Sequence, residues 1–229
     1  AVSSVFILAT PLPAFGNNAG PVTETALISQ GARLSHHKQT NNVNFIGSTA
    51  GKPLSIPGAA ISQTATDSAM AGLKAYGPLF GLQAPESEMS LTKLSTTVNG
   101  RSIARYQQTH RGLPVIGGEI NVSLASNNGL LSINGEISPG LTLPTQASIS
   151  MQQAKEKALN AVAKWYQVEP STLEVSVPVL SVYDPQLLGP DTTPAGLVWR
   201  MELTSKELKP IRELVLINAQ NGHVSLHFN

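Results

Sequence analysis

Apolar and polar residues alternate along this chain with two periods, and the change from one to the other marks its elements. Ala32–His37 and Val43–Ile46 alternate roughly every second residue around the polar turn Lys38–Asn42, which predicts a hairpin. Residues 10–31, rich in Pro, Gly, Asn and Thr, read as a loosely structured lead-in, and Gly47–Gly58 as a loop. Ala65, Ala69, Leu73 and Tyr76 then recur at helical spacing, with Ser62 as candidate N-cap and Gly77-Pro78 as stop. Residues 91–137 read as a run of antiparallel strands turned at Asn99-Gly100 and Asn128-Gly129, with a further turn or bulge at Asn134-Gly135. A Pro-flanked linker, Pro139–Pro144, precedes a second helix. That helix opens on the capping box Ser150-Met-Gln-Gln153 and lines one face with Ala154, Ala158, Ala161, Val162 and Trp165, leaving Lys155, Glu156, Lys157 and Lys164 in water. Strands follow over 173–182, 197–204, 214–218 and 224–228, the last two joined at Asn221-Gly222.

Helix then four strands, twice, predicts an α+β chain of two helix-on-antiparallel-sheet units in tandem, preceded by an N-terminal hairpin. The division is 1–54 for lead-in and hairpin, 55–143 for the first unit and 144–229 for the second. A helix covers one face of such a sheet. Leu113, Val115, Leu214 and Leu216 are candidates for the other face, where the units either cover each other or present a surface to a partner.

Composition narrows the function. The chain has 229 residues, 41% hydrophobic and 13% charged, with a formal charge of +1, enough apolar matter for a core and no basic run of the kind a nucleic-acid binder carries. There is no cysteine, hence no disulfide, thiolate metal site or cysteine nucleophile. Val2–Ala9 is apolar but far too short to span a membrane, and reads as the remnant of a signal-peptide core or an ordinary N-terminal strand. No His-Glu-x-x-His, Gly-x-Ser-x-Gly, P-loop or dinucleotide fingerprint is present. His36 and His37 are adjacent on a strand and point to opposite faces; His223 and His227 share a face at about 13 Å, too far apart for one metal ion. The carboxylates form no pair that sequence reveals. Asp184-Pro and Asp191-Thr-Thr-Pro read as turns, and the sequon Asn121-Val-Ser123 as a chance match within a strand.

One stretch stands out: Arg105-Tyr-Gln-Gln-Thr-His-Arg-Gly-Leu-Pro-Val-Ile-Gly-Gly-Glu119. Gly112 supplies a tight turn, Pro114 stands at a strand start where a missing N–H is tolerated, and Gly117-Gly118 permits a bulge or a close backbone approach. Arg105 and Gln108 should face opposite ways, with Arg105 paired to Glu119 across the turn.

Arg105-Tyr106-x-Gln108 followed by Gly112-x-Pro114-Val115-x-Gly117 resembles the propeptide module of the fungalysin and thermolysin families. Phe80-Gly-Leu82 leading into Ser90-Leu91, and Ser132–Glu136, resemble the segments on either side of it. The second unit resembles a PepSY domain through its Ala-rich helix, Leu197–Arg200 and Leu214–Val224, with Asn218 where that pattern has Asp. The resemblance implies two cystatin-like units and a secreted chain that acts by binding: an intramolecular chaperone and inhibitor of a thermolysin-like zinc metalloprotease. The partner would be the cognate catalytic domain, holding any zinc or calcium, while this chain needs no cofactor, binds no nucleic acid and enters no membrane. By the same analogy His227, Phe228 and Asn229 lie nearest the enzyme. The alternative is a free-standing secreted inhibitor or protein-binding module.

Overall fold

A computed structural model of the chain describes residues 22–57 and 64–229. Among the described residues the architecture is mixed α+β, with eleven strands hydrogen-bonded into one continuous sheet. Val2–Ala9 and Ser62 lie outside the described residues.

Helix α1 (Glu24–Ser29), capped by the Thr23 hydroxyl and burying Leu27, stands where a loose lead-in was expected. A single buried Leu and a capped first turn suffice to hold so short a helix against the core. Strands β1 (Arg33–His36) and β2 (Val43–Gly47) form the expected hairpin. Helix α2 (Ala65–Phe80) is capped by Thr64, whose Oγ1 accepts from the Asp67 N–H at 3.2 Å. It buries Ala69, Leu73 and Tyr76. It runs through Gly77-Pro78 and stops at Gly81, which takes the left-handed conformation at φ 99°. Pro78 forfeits one backbone bond in the last turn, and the burial of Phe80 and Leu82 against the same core offsets that loss.

After the short helix α3 (Pro85–Glu88), strands β3 (Met89–Thr96), β4 (Ser102–His110), β5 (Leu113–Leu124) and β6 (Leu130–Glu136) pair antiparallel, and β2 adds beside β6. Alternate residues of β4 are buried under α2, Ala104 and Tyr106 among them, so the period of two seen in the sequence is the inside–outside rhythm of this strand.

Helix α4 (Met151–Tyr166) begins with the expected capping box: Ser150 Oγ accepts from the Gln153 N–H, and Gln153 Oε1 from the Ser150 N–H. It buries Ala154, Ala158, Val162 and Ala163, while Trp165 is partly exposed. The expected strand 173–182 divides into β7 (Leu173–Val175) and β8 (Val179–Tyr183), both paired to β9 (Gly196–Ser205). Pro178 stands in the break, where it has no N–H to give a ladder. Strands β10 (Arg212–Asn218) and β11 (Val224–Phe228) complete this part of the sheet.

The two helix-covered parts of the sheet meet at β5. Its residues Val115 and Ile116 pair in parallel with Val182 and Tyr183 of β8. Leu113 and Val115 are therefore no open face: they pack with Val182, Leu187, Leu197 and Ala219 and with linker residues Leu141 and Leu143 in a third apolar core. Leu216 is buried as well, and Leu214 is half-buried.

Candidate functional site

Strand β5 belongs to both parts of the sheet because of a wide bulge. Thr109 of β4 pairs with Pro114, but Gln107 pairs with Glu119, so Val115–Gly118 have no partner on β4. This leaves Val115 and Ile116 free to pair with β8. Gly117 adopts φ 79°, a left-handed conformation that other residues resist. A Cβ on Gly118 would lie 2.6 Å from Gln108 Oε1, so the second glycine is required by space.

The bulge exposes carbonyls that a ladder would have satisfied. The Gln107 amide fills that role: Nε2 donates to the carbonyls of Val115 at 2.7 Å and Gly118 at 2.9 Å. Gln108 points the other way and is 2% exposed. Its amide clasps the linker, Nε2 donating to the Ser138 carbonyl at 2.7 Å and Oε1 accepting from the Ser138 N–H at 2.9 Å. The Ser138 hydroxyl donates in turn to buried Asp184, which also caps the 3₁₀ turn after β8 through the Gln186 N–H. His110 Nε2 donates to the Leu143 carbonyl at 2.9 Å. A polar cleft of 310 Å³ opens beside these groups, lined among others by Glu88, Gln108, His110, Arg111 and Ser138. Buried polar groups with every partner supplied fix one arrangement of the two parts.

The remaining motif residues have separate places. Tyr106 is fully buried under α2, and its hydroxyl has no hydrogen-bond partner. Burial first, then the nearby Asp67 charge, pushes its pKa up. Gly112, at φ 85°, and Arg111, at φ 50°, form the β4–β5 turn. Arg105 lies on the uncovered face, its Nε 3.3 Å from Asn121 Oδ1 and 3.9 Å from Glu119. The expected Arg105–Glu119 pair is thus a loose, solvent-exposed contact, secondary to Asn121.

His227, Phe228 and Asn229 divide between two faces. His227 stacks on Trp165 of α4, and Asn229 Nδ2 donates to the Tyr166 hydroxyl at 2.7 Å. Phe228 points away from α4 and is 53% exposed. Asn218 ends β10 with its Oδ1 accepting from the backbone of Gln220 and Asn221, a turn-forming task for a side-chain oxygen. Among the described residues, no group of three His, Asp or Glu is placed to hold a metal ion. No helix there is long and apolar enough to cross a membrane.

Sequence reasoning missed Gln107 and Ser138; it read Asp184 as a turn former, which it is, but not as the partner of Ser138. Gln107 stands at the unspecified position of the pattern between Tyr106 and Gln108, and its one signal was a large amide on the solvent phase of an alternating strand.

The Fungalysin/Thermolysin Propeptide Motif family matches residues 87–137, the block from α3 through β6 that contains this junction. Residues 87–137 are thus similar to a fungalysin/thermolysin-type propeptide motif. Among similar proteins, thermolysins of Alicyclobacillus acidocaldarius subsp. acidocaldarius and Bacillus caldolyticus are each 31% identical over 153 residues, 65% of this chain and 27% of theirs. A neutral protease of Vibrio proteolyticus is 29% identical over 131 residues, 55% of this chain and 20% of its own. The matched region spans about a quarter of the thermolysins' length. A solved structure, the Bacillus megaterium YpeB C-terminal domain, aligns over 91% of this chain and 97% of its own at 12% identity with a TM-score of 0.38. Within the matched block, Gln107 and Gly117-Gly118 shape the bulge that lets Val115 and Ile116 pair with β8, and Gln108 holds Ser138, which bonds Asp184 of the C-terminal part.

Proposed function

We propose that the chain is the propeptide of a secreted thermolysin-like zinc metalloprotease, serving as intramolecular chaperone and inhibitor of its catalytic domain. In this reading residues 55–143 and 144–229 are two cystatin-like helix-on-sheet units, the second PepSY-like, with the lead-in and hairpin in 1–54. The observation that carries it is the propeptide module at residues 87–137, together with its place at the seam of the fold. A seam locked by Gln107, Gln108 and Val115 turns two small units into one rigid template. A rigid surface binds without losing conformational freedom at the moment of contact, which favours both templating and tight inhibition. Zinc and calcium belong to the catalytic domain. Chaperoning then means that the template stabilises a folding intermediate of the protease and speeds its conversion.

Contact with the enzyme falls to exposed groups. Phe228 offers a large apolar side chain at the free edge strand β11, and an extended segment of the enzyme can align there by main-chain hydrogen bonds. His227 and Asn229 serve the contact indirectly, by holding β11 to α4.

The test is to refold a denatured thermolysin-like protease with and without the chain, then to assay peptide hydrolysis with the chain in excess. A raised refolding yield and saturable inhibition are expected. Neither effect at micromolar chain would refute the proposal.

A further inference from the structure

The uncovered face of the N-terminal sheet carries a conflict at its β3 edge. Lys93 of β3 stands directly opposite Arg105 of β4, and both are exposed. Like charges that face each other across a strand pair destabilise it. Glu119, 3.9 Å from Arg105 Nε, approaches Arg105 alone. Arg101 adds a third exposed cation just before β4. Among the described residues, neither Lys93 Nζ nor the Arg101 guanidinium has a carboxylate within 4.0 Å or a hydrogen-bond partner. The neighbouring ladder row on the same face is Ser95, Ile103, Ser123 and Ser132. The small serine side chains leave Ile103, 40% exposed, standing in a trough of about 800 Å³. Its walls include half-buried Leu131 and Val98, which is fully exposed in the β3–β4 turn. Arg101 is the one charged residue of the lining.

We propose that this face is a docking surface for an acidic protein segment that carries a large apolar side chain. The segment's carboxylates answer Lys93, Arg101 and Arg105, and its apolar group fills the trough over Ile103, beside Leu131 and Val98. An exposed ion pair contributes little alone, so the apolar anchor supplies affinity and the cations supply selectivity. The lining has no aromatic ring on which a base can stack, which sets nucleic acid aside. The repulsion between Lys93 and Arg105 weakens the free chain and turns to attraction once a carboxylate sits between them. Arg105 thus gains a task in binding, where its exposed contacts give it little in stability. The surface lies on a different edge of the sheet from β11, so it holds or fails independently of the contact proposed there.

The test uses the whole chain and a fluorescein-labelled peptide that alternates Glu and Leu between Gly-Ser flanks. Anisotropy should show saturable binding with a dissociation constant below about 1 mM, weakened by salt. Replacing the probe's Glu by Gln should weaken binding about tenfold. Lys93→Gln and Arg101→Gln should each weaken it about two- to fivefold, and Ile103→Ser about five- to tenfold. Lys93→Glu separates binding from folding: by pairing with Arg105 it should raise the folding constant about two- to threefold while weakening the probe about tenfold. No saturable binding at about 1 mM probe, equal binding of the Gln probe, or destabilisation by Lys93→Glu would overturn the proposal. So would phosphatidylglycerol vesicles or a single-stranded oligonucleotide bound through these residues in preference to the peptide. Amide NMR shifts of the wild-type chain locate the site without any substitution. On addition of the probe they should concentrate in residues 93–105, and shifts concentrated elsewhere would refute the docking surface.

Discussion

The N-terminal and C-terminal parts of the sheet solve one problem with different materials. Under α2 the core holds the large side chains Tyr76, Phe80, Tyr106, Leu73 and Ile133, all essentially inaccessible to water. Under α4 the buried helix face is Ala154, Ala158, Val162 and Ala163, and the strands below supply Met201, Leu203, Val215 and Ile217. A small-residue helix face buries less apolar area, so each contact contributes less and polar fastenings carry a larger share. The C-terminal part therefore leans on its seam with the N-terminal part and on buried Glu213, which Tyr166 and His227 both bond. The well-packed part needs neither.

That contrast orders the expected effects of substitution. Leu73→Ala removes a fully buried side chain beneath α2 and should cost about 2–5 kcal/mol, whereas Val162→Ala beneath α4 should cost only about 1–2 kcal/mol. Urea unfolding measures both, and equal costs would erase the distinction. Next comes the seam. Gly118→Val forces a side chain onto the Gln108 amide and should destabilise by about 1–3 kcal/mol while lowering the unfolding m-value, because the C-terminal part loosens first. An unchanged m-value with an unchanged midpoint would show that the bulge tolerates a side chain.

Smaller effects separate burial from motif membership. Tyr106→Phe deletes a hydroxyl that is buried without a partner and should be neutral or stabilising by up to about 1 kcal/mol, although Tyr106 belongs to the motif. A loss beyond about 1 kcal/mol would reveal a partner for that hydroxyl. Smallest of all, Arg105→Ala should change stability by less than about 0.5 kcal/mol, since its contacts to Asn121 and Glu119 are exposed. A larger loss would assign Arg105 a structural task that its exposed position does not show.

The sequence made the elements legible where local rules act. Alternation placed β4 and β5, Asn99-Gly100, Asn128-Gly129 and Asn221-Gly222 marked turns although Asn134-Gly135 runs on within β6, and Ser150 with Gln153 announced α4 before any contact was known. It was silent where the decision is made at a distance. Nothing local tells Pro78 that a helix will continue past it; the core waiting for Phe80 does. Nothing in Val115 says that its partner is Val182 of a strand many residues later, and so an apolar stripe that could have served either a partner or the other unit is the seam. The Gly117-Gly118 signal was visible as a bulge or close approach, but what approaches, the Gln108 amide, is a long-range fact. Gln107 was passed over because its task, replacing a missing strand, exists only once the bulge has formed.

The central claim is that the propeptide motif is a joint that makes the two parts unfold together. Both tryptophans, Trp165 and Trp199, lie in the C-terminal part, so indole emission reports that part while far-ultraviolet circular dichroism reports the whole chain. Equilibrium denaturation followed by the two probes should give coincident transitions for the wild-type chain. In Gln107→Ala they should separate, with the tryptophan transition at lower denaturant. Separate transitions already in the wild type, or coincident ones in the variant, would contradict the claim.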